Sequence, residues 1–487
     1  MKASGNRALP AWYDDAKLGV FVHWGPYSVP GWAPISGDIQ EIFASKGPRH
    51  YFAHNPYAEW YVNSVRIPGS PTWRHHREVH GEAVSYADFA ARFGEHAAGF
   101  DPKSWAALFA RAGARYVVLT AKHMDGYALW PSAHASGRGW GATRDFVGDV
   151  TAAVREAGMR MGLYYCGGFD ANFEDRVIRT LGDCVLAIPQ SAEYARYAEA
   201  QVRELVERYR PAVLWNDVAF PASVDLDALL SAYYDAVPDG VANDRWAQFP
   251  LARQGTLAYT VVSALLHHGD RLWRLLPRRH RRFGFPAAPH GDFGTPEYDT
   301  PASAGERKWE LARGLGNSFS FNREEGDSET LSVEALVHLL IDVVSKNGNL
   351  LIGVGPRADG TIPQRQRERL EGLGAWLDVH GEAIFGTRPW KLAASQTGDG
   401  KAIRFTSKEG VVFATLLSAA HAGEVELPVR LAEGSEVRLL GRTAPLQWEP
   451  SAYGATVTIP AAAVTEGVAW SLRITPEPVP TPRPSKG

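Results

Sequence analysis

Five short apolar runs in the first half of the chain end in aromatic, basic or acidic residues rather than in turn residues. Leu18-Gly-Val-Phe-Val22 leads into His23-Trp24-Gly25, and Tyr116-Val-Val-Leu-Thr-Ala121 into Lys122-His123. Met161-Gly-Leu163 leads into Tyr164-Tyr165, Ala212-Val-Leu214 into Trp215-Asn216-Asp217, and Gly240-Val-Ala242 into Asn243-Asp244-Arg245-Trp246. Segments with helical spacing lie between them: 102–113, with Pro102 early and Gly113 at the stop; about 145–157; about 192–209, closed by Pro211; and 226–237, closed by Pro-Asp-Gly. A further apolar helix over 332–345 precedes a buried strand over 350–354. Strand and helix in repeated alternation predict an α/β fold, a (β/α)8-like barrel spanning residues 1–386. In such a barrel the polar groups at the C-terminal strand ends converge on one face.

The texture changes after Gly386. Segments 401–406, 411–417, 423–430, 436–440, 455–459 and 467–474 are short, alternating and bounded by turns, which predicts an antiparallel β-sandwich over 387–475. It carries no cluster of histidines or carboxylates, so structural support is its expected role. The proline-rich stretch 476–487 predicts a solvated, extended tail. Residues 250–290 interrupt the barrel rhythm and include the basic run from Arg271 to Arg282. Such an excursion reads either as a solvated loop or as a lid over the leaving-group side of a pocket or an oligomer contact.

Composition acts mainly by exclusion. With 487 residues, 45% apolar and 22% charged, the chain has room for an extended barrel and one accessory domain. A net charge of -3 makes no case for nucleic acid or an anionic membrane as partner. No apolar run reaches membrane-spanning length, and the first residues lack the apolar core of a signal peptide. Cys166 and Cys184 are the only cysteines, too few for a disulfide framework, so a reducing cytoplasm is the expected setting.

Cleaving a glycosidic bond with retention takes two carboxyl groups about 5–5.5 Å apart, one as nucleophile and one as acid and then base. Asp217, ending an apolar strand beside Trp215, is the leading nucleophile candidate; Asp244 is a rival, more simply read as a partner of Arg245. Glu297, in Phe293-Gly-Thr-Pro-Glu-Tyr298, follows the excursion and could supply the acid from a loop. His23 and His123 suit sugar hydroxyls, since neutral imidazole can donate to one oxygen and accept from another. A metal site would need three or four converging ligands, and neither His-x-His nor His-Glu-x-x-His occurs at these positions. His75-His76 and His267-His268 read as solvated faces. Glu59-Trp60-Tyr61 reads equally as a pocket wall or as an ordinary amphipathic segment.

The chain resembles the retaining α-L-fucosidases of glycoside hydrolase family twenty-nine, from Trp12 to about Trp390. The resemblance is carried by the order and spacing of many strings. They include Phe21-Val-His-Trp-Gly-Pro-Tyr-Ser-Val-Pro-Gly-Trp32, Glu59-Trp-Tyr61, Leu119-Thr-Ala-Lys-His123, Gly162-Leu-Tyr-Tyr165 and Leu214-Trp-Asn-Asp217. Further on come Asn243-Asp-Arg-Trp246, Lys308-Trp-Glu310, Ser318-Phe-Ser-Phe-Asn322 and the run from Asp342 to Leu351. It implies double displacement with Asp217 as nucleophile and Glu297 as acid/base. It also implies a fucose site made of His23, Glu59, Trp60, His123, Tyr164, Trp215 and Arg245, with Tyr164 preferred over Tyr165. No metal or other cofactor is implied. The implied partner is a fucosylated oligosaccharide or glycoconjugate, and a homo-oligomer is left open.

Three departures from the family pattern stand out. Met124 replaces a second histidine, the connection from Arg245 to Glu297 is much longer than usual, and Gly353 stands where asparagine is common. The competing expectations are a metal-dependent barrel hydrolase using His23, His123 and Asp217, and a fucose-binding protein with weak or no turnover. Cleavage of related α-L-galactosides is a variant of the first reading.

Overall fold

The computed structural model describes residues 7–134, 140–250, 273, 275–277, 280–284, 288, 290–463 and 467–481. Seven parallel strands form one curled sheet: β1 (Leu18–Val22), β2 (Tyr116–Lys122), β3 (Arg160–Cys166), β4 (Val213–Asp217), β5 (Val241–Ala242), β6 (Trp309–Gly314) and β7 (Gly348–Val354), in the order β5-β4-β3-β2-β1-β7-β6. The edges β5 and β6 are joined by the segment 292–298. Asn243 bridges Phe293, Gly294 bridges Trp309 and Glu297 bridges Ala312, all parallel. This irregular piece closes the barrel in the place of an eighth strand.

The apolar runs are continuous because both faces of each strand are buried, as a parallel sheet under helices requires. Period-two alternation then sorts the side chains. Leu163, Tyr165 and Leu214 pack outward with the helix faces, whereas Tyr164, Cys166, Val213 and Trp215 pack inside. At Gly19 any β-carbon would collide with the ring of Tyr116, which fills the lower barrel interior. The helices begin and end much where the spacing predicts: Pro102–Arg111, Phe146–Glu156, Ala192–Tyr209, Leu226–Ala236 and Val333–Ser345. All five start with an Asp or Ser side chain accepting from a backbone N–H at N2 or N3: Asp101, Asp145, Ser191, Asp225 and Ser332.

Strand β6 escaped the sequence pattern for a physical reason. Its second residue, Glu310, points into the barrel, where its carboxylate accepts from Tyr13 Oη (2.8 Å), Tyr116 Oη and Trp215 Nε1 (3.0 Å). A mid-strand carboxylate breaks an apolar run, and only partners from distant segments make it tolerable.

The C-terminal region is an antiparallel sheet of eight strands, from Arg388–Gln396 to Trp470–Thr475, wrapped around one core that includes Phe405, Val412, Leu427, Val437, Val457 and Leu472. Two strands, Arg388–Gln396 and Pro445–Ser451, go beyond those the alternation predicts. The sheet rests on the barrel through Trp376 Nε1, which donates to Ala469 O (2.9 Å), and Arg404 Nε, which donates to Asp342 (2.6 Å). The tail expectation needs correction at its start. Val479–Pro480 pairs with Val429–Arg430, and Thr481 N donates to Pro428 O, because extended proline-rich backbone can still use its free carbonyls and N–H groups at a sheet edge. Residues 482–487 lie outside the described residues. No described helix is long and apolar enough to cross a membrane.

Candidate active site

Asp217 and Arg245 reach the barrel mouth through a pair of asparagines. Asn216 N donates to Asn243 Oδ1 (2.9 Å), Asn243 Nδ2 returns to Asn216 O (2.8 Å), and Asn216 Nδ2 donates to Arg245 O (2.7 Å). The ends of β4 and β5 are thereby locked together. Alternation turns Trp215 and Asp217 inward on either side of Asn216. Val218, next in line, sits at φ 67°, an uncommon conformation for a β-branched residue, and its N–H turns back onto Asp217 Oδ1 (2.8 Å).

One guanidinium holds both candidate catalytic carboxylates. Arg245 Nη1 donates to Asp217 Oδ1 (2.8 Å) and Nη2 to Glu297 Oε2 (3.0 Å), while Nε and Nη2 also bind Thr295 Oγ1 (3.0 Å) and Thr295 O (3.1 Å). Its plane lies over Trp215, 4.7 Å from the ring centre. A shared fork of this kind keeps the nearest carboxylate oxygens within roughly 8 Å of each other, a bound that pairs the two groups and admits both the retaining and the inverting spacing. Asp217 Oδ2 accepts from Tyr164 Oη (2.7 Å), and Glu297 Oε1 from Tyr57 Oη (2.6 Å). Burial raises the Glu297 pKa above the usual carboxylate range, against the lowering effect of Arg245 and Tyr57, and the charge of Asp217 adds to the rise.

Glu297 therefore sits on the barrel-closing segment itself, not on a free loop. Asp244 is what pins that segment: its Oδ1 accepts from Thr295 N (3.1 Å) and Thr295 Oγ1 (2.8 Å). It also remains a partner of its neighbour Arg245, as expected: the two side chains meet on Thr295 Oγ1, and against the lowering effect of burial the Asp244 charge helps raise the Arg245 pKa.

The two histidines meet. The rings of His23 and His123 are 5.8 Å apart, and His123 stacks on Tyr164 (5.6 Å, 12°). Burial lowers the pKa of His23 well below the free-imidazole value and brings His123 down to about 4, so both are neutral near neutral pH. Their buried Nδ1 atoms have no hydrogen-bond partner among the described residues.

Glu59 and Trp60 line the same cavity from a single helical turn, Ala58–Trp60, while Tyr61 points away and bonds His76 Nδ1 (2.9 Å). Glu59 Oε2 is held by Ser318 Oγ (3.1 Å), Ser320 N (3.1 Å) and Ser320 Oγ (2.8 Å). All nine site residues named from the sequence line one cavity of about 260 Å³. Lys122 and Tyr165, at the same strand ends, do not. Lys122 is buried in an ion pair with Asp170 (2.7 Å), and Tyr165 bonds Gln201 on the helical side. Met124 is buried in the interior cluster and is not among the lining residues, so it is a packing residue in this chain. Gly353 abuts Phe319, where a β-carbon would come within 3.0 Å of the ring, and Phe319 lies against His23 (5.0 Å).

The other histidine pairs divide. His76 is buried with Tyr61 and Val84 O as partners, which overturns its solvated reading, and His75 stacks on Trp32 (4.1 Å, 7°). His267-His268 and most of the 250–290 excursion lie outside the described residues. Its described end, Phe283-Gly284, lines the cavity. Among the described residues no group of three or more His, Cys, Asp or Glu side chains could hold a metal ion. Sequence reasoning missed Tyr57, Thr295, Glu310 and Phe319. Tyr57 and Thr295 each stand two residues before a named carboxylate, and Glu310 and Phe319 lie in quoted strings, so adjacency was the signal available.

Arg245→Met would leave two buried carboxylates without their cation. It is expected to cost about 3 kcal/mol of unfolding free energy, read from urea denaturation; an unchanged midpoint and slope would show the pair to be stabilised by other means.

A parallel barrel with paired carboxylates, neutral histidines and indoles gathered at the C-terminal strand ends has the architecture of a barrel glycoside hydrolase. The α-L-fucosidase family model matches residues 1–382, and the α-L-fucosidase C-terminal domain model matches 399–475. The α-L-fucosidase of Branchiostoma floridae is 31% identical over 96% of this chain and 93% of its own, and the tissue α-L-fucosidase of Bos taurus is 29% identical over 96% and 89%. The structure of Thermotoga maritima α-fucosidase in complex with fucose is 39% identical, with a TM-score of 0.79, covering 96% of this chain and 97% of that one. The same protein with a mechanism-based inhibitor is 40% identical, with a TM-score of 0.80 over the same shares. The chain belongs to the α-L-fucosidase family and is a glycoside hydrolase of that activity.

Proposed function

We propose that the protein removes terminal α-L-fucosyl groups from fucosylated oligosaccharides or glycoconjugates by retaining double displacement. The observation that carries this reading is the single Arg245 guanidinium between Asp217 and Glu297 at the base of the cavity. Asp217 attacks the anomeric carbon as Glu297 passes its proton to the departing oxygen, and the carbon–oxygen bond to the leaving group breaks. A β-L-fucosyl ester on Asp217 results. The ionised Glu297 then takes a proton from water, water attacks the same carbon, and the ester bond breaks to release α-L-fucose.

Arg245 suits both steps. At the start its charge faces ionised Asp217 and protonated Glu297; in the intermediate Asp217 is a neutral ester and Glu297 is ionised. One cation thus balances one anion throughout, and no charge is stranded in the buried site. Asp217 Oδ1 carries two donors, Arg245 and Val218 N, whereas Oδ2 carries only Tyr164, so Oδ2 is the oxygen freer to attack. The neutral rings of His23 and His123 line the cavity with Glu59 and Trp60 and are placed to take sugar hydroxyls. The mechanism-based inhibitor bound by the Thermotoga maritima relative supports a covalent course.

Proton NMR of the first-formed sugar tests the stereochemistry: α-L-fucose should appear before mutarotation, and β-L-fucose appearing first would sink the proposal. The pH profile gives an independent check. Because the acid must be protonated to act and its pKa is raised, kcat/KM should hold below that pKa and fall as pH rises through it. In Glu297→Gln the residual rate on an aryl fucoside should lose this basic limb. A limb that persists there belongs to another group.

A further inference from the structure

The cavity is larger than the cluster the mechanism uses, and the surplus is apolar. Among the described lining residues, every carboxylate and guanidinium belongs to the Asp217–Arg245–Glu297 group or to Glu59. Much of the remaining wall is Ile39, Phe52, Leu181, Ile188, Phe249 and Phe283. Part of this wall adjoins the acid. Gln40 Nε2 donates to both Glu297 O (2.9 Å) and Phe283 O (3.1 Å), and Phe283 N donates to Gln40 Oε1 (3.0 Å), so Phe283 is strapped beside Glu297. Ile39 precedes Gln40 on the same helix, Ile39–Ser45.

A second sugar on this wall would turn hydroxyls toward side chains that neither donate nor accept, losing its bonds to water without replacement. An alkyl or aryl group loses nothing and gains burial. We propose that the leaving-group side of the site takes an apolar aglycone, so that alkyl and aryl α-L-fucosides are preferred over fucosyl disaccharides. The inference rests on the reading of Glu297 as the acid that faces the leaving oxygen.

Non-hydrolysable α-L-C-fucosides carrying methyl, propyl, hexyl, phenyl or a C-linked galactosyl group test it as competitive inhibitors of the full chain. Inhibition constants should fall roughly three- to fourfold for each methylene that becomes buried. The phenyl congener should bind at least about tenfold tighter than methyl, and the galactosyl congener no tighter than methyl. In Phe283→Ser, with each constant taken relative to that variant's own methyl congener, the gain from methyl to hexyl should shrink. A flat series, or a galactosyl congener tighter than hexyl, overturns the proposal; if free L-fucose still inhibits and an aryl fucoside is still turned over, the fucosidase mechanism survives. If neither L-fucose nor the methyl congener inhibits, both readings fall.

Discussion

Asp217→Gly is expected to lower kcat on 4-nitrophenyl α-L-fucoside by a factor on the order of 10⁴ or more, since no other carboxylate stands where the nucleophile must be. Deleting the side chain leaves room for a small anion below the anomeric carbon. Added azide should therefore restore part of the rate and yield β-L-fucosyl azide, the product of a single displacement. Arg245 would still pair with Glu297 in the variant, which keeps the site charge-balanced and the fold intact. Wild-type turnover in Asp217→Gly, or an azide product of α configuration, would place the nucleophile elsewhere.

The second large effect should follow from Glu297→Ala, and its size should depend on the substrate. With an unactivated fucosyl oligosaccharide the departing oxygen needs its proton, and the loss should be about 10²–10⁴-fold. With 4-nitrophenol leaving, the first step needs little help, and release of the ester becomes limiting. Azide should then accelerate turnover and give α-L-fucosyl azide, because it attacks the β-linked ester from the opposite face. Equal losses on both substrates, without azide rescue, would remove Glu297 from acid/base duty.

The two carboxylates differ in how plainly the chain announces them. Asp217 follows an apolar run, next to a tryptophan, and that pattern is local. Glu297 has no such setting: it bridges Ala312 on β6, a strand that the pattern does not reveal because Glu310 interrupts it. Tyr57, which holds the acid, comes from a distant part of the chain that no spacing rule connects to it. The same limit explains Asp244. Its neighbour in sequence suggests the link to Arg245, but the contact with Thr295 that both side chains share is set by the barrel-closing segment.

Strand and helix periodicity, the turn residues, the polar strand ends and the late shift to two-residue alternation are properties of contiguous residues. From them the sequence alone determined a β/α barrel, an antiparallel C-terminal sheet and the strand-end members of the site. Barrel closure by 292–298, the fork of Arg245 across two carboxylates, the burial of Met124 and the apolar wall beside Glu297 were decided only in three dimensions. Each depends on contacts between residues far apart in the chain, whose distances are set by packing and hydrogen bonding once the barrel has formed.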